Sequence, residues 1–432
     1  MLGLAVPVIL AEVGWVTMGL VDTLMVGPVG PAAIGAVGFG SIVFLAIGIF
    51  GMGLLLGLDT LIAQAFGGGR LDDCRGWLVQ GLWLAALLSA PLTLAAYVLI
   101  ATLPAWGVNP AVRDLAVSYL SVLAPSVIPL LFYAAFRRYL QAVNAVRPVA
   151  FALTTANLIN VFVNWLLVYG RLGFPALGST GSAWATLVSR FYMAGVLAVA
   201  VILRERGLST RARAPVTRPD WPAIRRLLAL GVPASLQGML EVGAFAAASA
   251  LVARLSAEAL AAHQIALNLW GLAYMLPLGL NTAGAVRVGQ AVGRHDREGA
   301  WRAGWTALAL GAVLTALAAT VFLSGGRLLI GAFSRVPAVL ALGPSLLAVA
   351  GICLLFDGTQ AIATGLLRGL GETRLPMLTS LVAYWGIGLP IGYAACFRWG
   401  WGVQGVWAGL AAALMIVGAV LLRAWQVRVS RL

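Results

Sequence analysis

The sequence predicts an all-α integral membrane protein. Twelve transmembrane helices are expected, in two six-helix lobes related by a pseudo-two-fold axis along the membrane normal. Three observations carry this prediction: composition, segment length and an internal repeat. Hydrophobic residues make up 61% of the 432 and charged residues only 10%, with a mean hydropathy of +0.97. A soluble domain carries about a quarter charged residues, so this chain is made for lipid. A spanning helix needs about 20 apolar residues, and short polar breaks divide the chain into twelve such segments. No alternating pattern of short apolar strands and turns supports a transmembrane barrel.

In order, the spans are expected near 2–26, 33–66, 77–103, 112–138, 148–169, 180–203, 224–253, 258–292, 302–323, 337–368, 376–397 and 402–425. Several are longer than a bilayer needs, which predicts tilt or helix beyond the membrane. All 28 basic residues are arginine. Most lie in short loops on one side, and the loop between spans six and seven, "RERGLSTRARAPVTRPDWPAIRR", adds seven more. The arginine-rich side is expected in the cytoplasm, with both termini there. A net charge of +14 distributed in this way marks topology rather than nucleic-acid binding. Met1 leads directly into the first span with no basic n-region, so no cleavable signal peptide is expected.

The basic loop divides the chain into an N-lobe, 1–203, a cytoplasmic linker, 204–223, and a C-lobe, 224–432. The lobes repeat. A shift of 226 lays "LAVPVILAE" over "LGVPASLQG", Gly53-Leu54 over Gly279-Leu280, and "QAFG" over "QAVG". Six spans is an even number, so both lobes start on the same side of the membrane. Their axis must then run along the membrane normal, and a transport pathway between the halves is the usual consequence.

Few acids lie within the spans: Glu12, Asp22, Glu241 and Asp357 well inside, and Asp59 toward the cytoplasmic end of span two. Each costs roughly 2.5–3.5 kcal/mol at the bilayer centre on insertion scales. They must therefore hydrogen-bond between helices, face a wet cavity, bind a cation or carry a proton. Arg190 is the one arginine expected at similar depth. Glu241 has Gln237 four residues earlier, on the same helix face. Asn157, Asn160 and Asn164 form one stripe on span five, and Asp357 is followed by Thr359, Gln360 and Thr364 on span ten. Such stripes can glue helices together; on several helices of a repeat-built bundle they more often line a pathway. The repeat does not copy the acids, because Asp22 falls on Ala248 and Glu241 on Trp15.

Other chemistries find little support. Cys74, Cys353 and Cys396 are too scattered for a disulfide framework or a metal cluster. His263 and His295 stand far apart, and "GGG" at 67–69 lacks the lysine and serine of a P-loop. An intramembrane enzyme would need a nucleophile–base pair or a metal cluster, and neither is visible, so the chain is not expected to be an enzyme. No cofactor is expected.

The motifs "GLVDTLMVGPVGPAAIGAVG" (19–38), "LDTLIAQAFGGG" (58–69), "NVFVNWLLVYG" (160–170), "MLEVGAF" (239–245), "AAHQIALN" (261–268) and "ATGLLRGLGETRLP" (363–376) together resemble the multidrug and toxic compound extrusion (MATE) family, nearest its NorM-like bacterial branch. The resemblance covers nearly the whole chain. It implies export of organic cations by alternating access, coupled to sodium or protons, in a bacterial cytoplasmic (inner) membrane by a monomer. It also implies that Asp22, Glu241 and Asp357 bind the coupling cation, with a sodium site at Glu241 and Asp357. Asn157, Asn160, Asn164, Gln237, Thr359 and Gln360 are expected as supporting polar groups. The DinF-like branch carries an aspartate on span five where this chain has Asn164, which argues against that branch. A flippase for lipid-linked saccharides, from the wider superfamily, is the alternative. It would favour a cationic cavity, whereas the interior charges here read as mainly acidic.

Overall fold

The computed structural model describes residues 2–207 and 218–432. Residues 208–217, half of the sequence-assigned linker, lie outside the described residues. Among those described, the structure is helical and holds twelve helical segments long and apolar enough to cross a membrane. In chain order the α-helices are α1 (Leu2–Val26), α2 (Pro31–Leu54), α3 (Gly57–Gly67), α4 (Leu71–Thr102), α5 (Pro110–Leu123), α6 (Val127–Ala142), α7 (Arg147–Val168) and α8 (Ser179–Gly207). After the loop come α9 (Trp221–Val252), α10 (Ala257–Gly293), α11 (Arg297–Phe333), α12 (Pro337–Gly369), α13 (Arg374–Ser380), α14 (Leu389–Tyr393) and α15 (Gly402–Val429).

Three spans depart from simple rods. The second breaks between α2 and α3, where the amides of Leu55, Leu56 and Leu58 bond three residues back. Such tightening at a Gly-rich stretch kinks a helix. The fourth breaks at a 3-10 turn, Ala124–Ser126, centred on Pro125. The eleventh runs through two π-helical stretches, Leu381–Gly388 and Ala394–Arg398, on either side of α14. Pro390 has no amide to offer the carbonyl four residues before it, so the regular ladder cannot continue there. Helix ends also reach past the apolar windows. α4 begins at Leu71 and α11 runs Arg297–Phe333, because arginines and acids at the ends continue the helix into water.

The backbone separates into two compact units. One comprises residues 10–66 and 70–235; the other comprises 1–9, 67–69 and 236–432. In the first, α7 lies along α8, α4 along α6, and α2 along α5. In the second, α12 packs on α10, α11 and α15. The unit boundaries cut α1 and α9 rather than falling in the linker. Two close approaches explain why. In the first unit a Cβ on Gly53 would stand 2.7 Å from the Ser235 Cα, and in the second a Cβ on Gly279 would stand 3.0 Å from the Ile9 Cα. Gly53 and Gly279 are repeat mates under the shift of 226, and so are Ile9 and Ser235. One packing contact is thus built twice, with glycine required both times.

Candidate coupling site and ligand cavity

In the first unit Asp22 is 4% exposed. Its Oδ1 accepts from Asn160 Nδ2 at 3.1 Å and Asn164 Nδ2 at 2.8 Å, and its Oδ2 from Thr186 Oγ1 at 2.5 Å. The two asparagines meet it because they lie one turn apart on α7. Thr186 comes from α8 and was not singled out in the sequence. Ser179, Ser182 and Thr186 repeat the spacing of the asparagine stripe, and that periodicity is the signal that could have found it. Asn157 takes no part, since its Nδ2 donates to the carbonyls of Gly14 and Leu153.

Asp22 lines a cavity of about 270 Å³ walled by Trp15, Phe44, Tyr119 and Leu130 and also reached by Arg190. Arg190 is 7% exposed. It donates to the Ser126 hydroxyl and lies 4.3 Å from the Phe44 ring centroid and 5.9 Å from that of Trp15. Among the described residues it has no carboxylate within ion-pair distance.

Elsewhere in this unit two acids have arginine partners that the sequence reading missed, one buried and one half-buried. Arg137 pairs with Glu12, and Arg138 with Asp59 at 3.0 Å. Both arginines had counted as orientation charges at the cytoplasmic end of span four, and they sit near the end of α6. Arg368 is also buried, so the interior holds more cationic charge than its composition suggested.

In the second unit Glu241 Oε1 accepts from Gln237 Nε2 at 3.0 Å and from the Ser380 hydroxyl at 3.2 Å. Gln237 also reaches Thr364 at 3.2 Å. Asp357, 2% exposed, accepts at Oδ1 from Gln360 Nε2 at 3.0 Å. Gln360 lies beside both carboxyls, which are near enough to feel each other's charge. Asp357 Oδ2 and Gln360 Oε1 are buried without a hydrogen-bond partner. Such orphaned acceptors are costly unless a proton or a cation uses them. The Thr359 hydroxyl instead bonds the Leu355 carbonyl in its own helix. Four residues after Glu241, Phe245 lies tilted against Trp270, which stacks on Tyr274, with centroids 4.7 and 5.3 Å apart.

His263 is fully accounted for. Its Nδ1 accepts from Trp407 Nε1, and its Nε2 is 3.0 Å from the Ser249 hydroxyl. Among the described residues no three His, Cys, Asp or Glu side chains gather as a metal cluster.

Comparison with known proteins agrees with this architecture. The MatE family model matches residues 7–166 and 233–394, so its two copies fall on the two halves. A multidrug resistance protein NorM of Mesorhizobium japonicum is 38% identical over 98% of this chain and 92% of its own length. The multidrug resistance protein MdtK of Yersinia pseudotuberculosis is 32% identical over 91% of this chain and 86% of its own. Among solved structures, the eukaryotic MATE transporter AtDTX14 shares the fold with a TM-score of 0.89 at 20% identity, covering 100% of this chain and 96% of that one. A transporter of the MOP superfamily from Pyrococcus furiosus has a TM-score of 0.89 at 19% identity, covering 99% and 95%. The chain is a multi-pass membrane protein and belongs to the MatE family of multidrug efflux transporters.

Proposed function

We propose that this protein is an antiporter that exports organic cations by alternating access, driven by inward movement of sodium or protons. The observation that carries the coupling reading is the pair of orphaned oxygens, Asp357 Oδ2 and Gln360 Oε1, buried beside the Glu241 carboxyl. Sodium wants several hard oxygen ligands, and carboxylates and amides supply them. A proton needs only one carboxyl oxygen. Asp22 is the third coupling group, and its neighbour Asn164 also keeps a buried Oδ1 without a partner. The aromatic series Phe245, Trp270 and Tyr274 offers faces to a desolvated organic cation.

The moving bodies are the halves 1–203 and 224–432, joined by the segment 204–223. The protein works as a monomer in the bacterial cytoplasmic membrane with both termini inside. The flippase alternative would want several cations converging on a pyrophosphate, and the 270 Å³ cavity presents one, Arg190. Efflux of a fluorescent cation from proteoliposomes, under a sodium gradient alone and a pH gradient alone, tests the reading. Export is expected under one of them. Export under neither, with protein shown to be folded, would remove the antiport proposal.

A further inference from the structure

We propose that Ser380 is a positioning residue for the Glu241 carboxyl, and that the π-helical stretch after it, Leu381–Gly388, is what aims it. This deepens the coupling reading above and rests on it for the ion that Glu241 takes up.

The argument starts from where buried hydroxyls send their hydrogen. Within a helix, a serine or threonine commonly bonds the carbonyl four residues back. Ser89, Thr359 and Thr379 do so, with Ala85, Leu355 and Leu375. Ser380, beside Thr379 and fully buried, does not. Its hydroxyl crosses to α9 and donates to Glu241 Oε1 at 3.2 Å. The second donor to that oxygen, Gln237, stands one turn before Glu241 on α9 itself. It moves with the carboxyl and cannot fix it against other helices, whereas Ser380 can. That matters because the carboxyl must keep its place near Asp357 of α12 for the two to share an ion. Tyr274, Cys353 and Tyr384 are titratable neighbours of the same cluster.

The backbone explains how span eleven does this. In an α-helix, residues five apart point about 140° away from each other. Bonding five residues back widens the turn and brings such residues toward one face. Ser380 and Trp385 are five apart, and both reach α9. Trp385 Nε1 donates at 3.1 Å to the carbonyl of Leu240, the residue before Glu241. Gly243 leaves room for the indole, since a Cβ there would stand 3.1 Å from Trp385 Cζ2. Tyr384 adds a contact with Phe245, the ring centroids 6.4 Å apart. The widened turn thus lays Ser380, Tyr384 and Trp385 along residues 240–245 of α9.

Two measurements test this. Infrared spectra of purified protein in detergent at acid pH show the protonated Glu241 carboxyl, whose C=O band is identified by its loss in Glu241→Gln. Ser380→Ala removes a donor, so the band should move to higher frequency. Ser380→Thr keeps the hydroxyl and should leave the band in place. Trp385→Phe loosens the π-helical stretch without touching the carboxyl and should move the band part of the way. Proteoliposome efflux then separates half-saturation by the driving ion from maximal rate. In Ser380→Ala the half-saturating concentration should change about tenfold, the loss of one hydrogen bond to a charged group, with the maximal rate largely kept. The change is upward for sodium, which loses an oxygen beside its carboxylate, and downward for protons, which meet a carboxylate with one donor fewer. Should Ser380→Ala not fold, as judged by thermal melting, Ser380→Cys is the reporter, a weak donor of similar size. An unchanged band in the reporter would overturn the proposal, and so would a band displaced as far in Ser380→Thr. A displaced band with unchanged half-saturation would also overturn it and leave Ser380 a structural residue. No effect of Trp385→Phe would remove the role given to the π-helical stretch. Wild-type export under neither gradient would sink the antiport reading, while the band, which needs no gradient, would still decide whether Ser380 holds the carboxyl.

Discussion

Asp22 permits a sharp separation of structure from function. Replacing it with Ala removes the acceptor for Asn160, Asn164 and Thr186 at once. Interhelical hydrogen bonds in membrane proteins average about 0.6 kcal/mol, so three amount to about 2 kcal/mol. Donors left orphaned add to that, although Asn164 Nδ2 keeps the Asn160 carbonyl at 2.9 Å. Asp22→Asn should behave differently. Its oxygen can face the two asparagine amides, and its new amide can donate to the Thr186 hydroxyl, which accepts as well as donates. The asparagine variant should therefore stay within about 1 kcal/mol of wild type while losing the charge. Thermal melting in detergent and proteoliposome efflux, at matched protein, measure the two effects. The expected pattern is a clear melting loss for Ala, little for Asn, and efflux reduced at least about tenfold in both, the effect of losing a charged contact of about 1.4 kcal/mol. If Asn melts like Ala, the hydrogen-bond accounting is wrong. If the Asn variant exports at the wild-type rate, Asp22 is no coupling group.

Three further outcomes are expected. Glu241→Gln and Asp357→Asn should each yield folded protein without coupled export, read by melting and efflux, because each removes a charge costly in lipid and keeps its shape; wild-type rates in both would end the coupling assignment. Glu12→Gln should act chiefly on stability, by leaving Arg137 buried without its partner, at a cost of about 3–5 kcal/mol, and should impair transport per folded molecule less than Asp22→Asn does; comparable loss per folded molecule would count against that ranking. Gly279→Ala would place a Cβ 2.3 Å from the Ile9 Cγ1, so melting should fall by about 1–3 kcal/mol, and adding Ile9→Ala should recover part of it; no recovery would mean that the clash is with the backbone.

The count and order of the spans were legible because apolar length is a strong signal and few polar residues interrupt it. The helix ends were less so. Arg297 and Glu298 read as loop, yet they open α11: the Asp296 carboxylate caps it by accepting from the Gly299 amide, and Glu298 places an acid in its first turn. The break after Leu54 was hidden in a leucine-rich window that looks the same straight or kinked. The stripe that carries Asn160 and Asn164 followed from helical spacing, but its meeting with Asp22 and Thr186 did not, since which helices lie side by side is decided by packing. The partnerships of Arg137 and Arg138 were missed for a plainer reason. A positive charge near a loop reads as topology, and only packing reveals that the chain turns it inward to meet Glu12 and Asp59.

The repeat makes sense of why the two units differ. Under the shift of 226, Arg190 falls on Ile416, Asp357 on Leu131 and Glu241 on Trp15. A single position is thus a cavity wall in one half and a carboxylate in the other. The polar wiring follows suit. Asp22 has its oxygens held by three side-chain donors, so a cation arriving there meets a carboxylate that is already largely engaged. Asp357 Oδ2 and Gln360 Oε1 have no donor to displace, so a cation or a proton at that cluster gains contacts without breaking any. On the coupling reading, the second unit is then the tighter ion site. The glycine contacts at Gly53 and Gly279 are kept in both copies because they hold the helices together, whereas the charged positions differ between the copies.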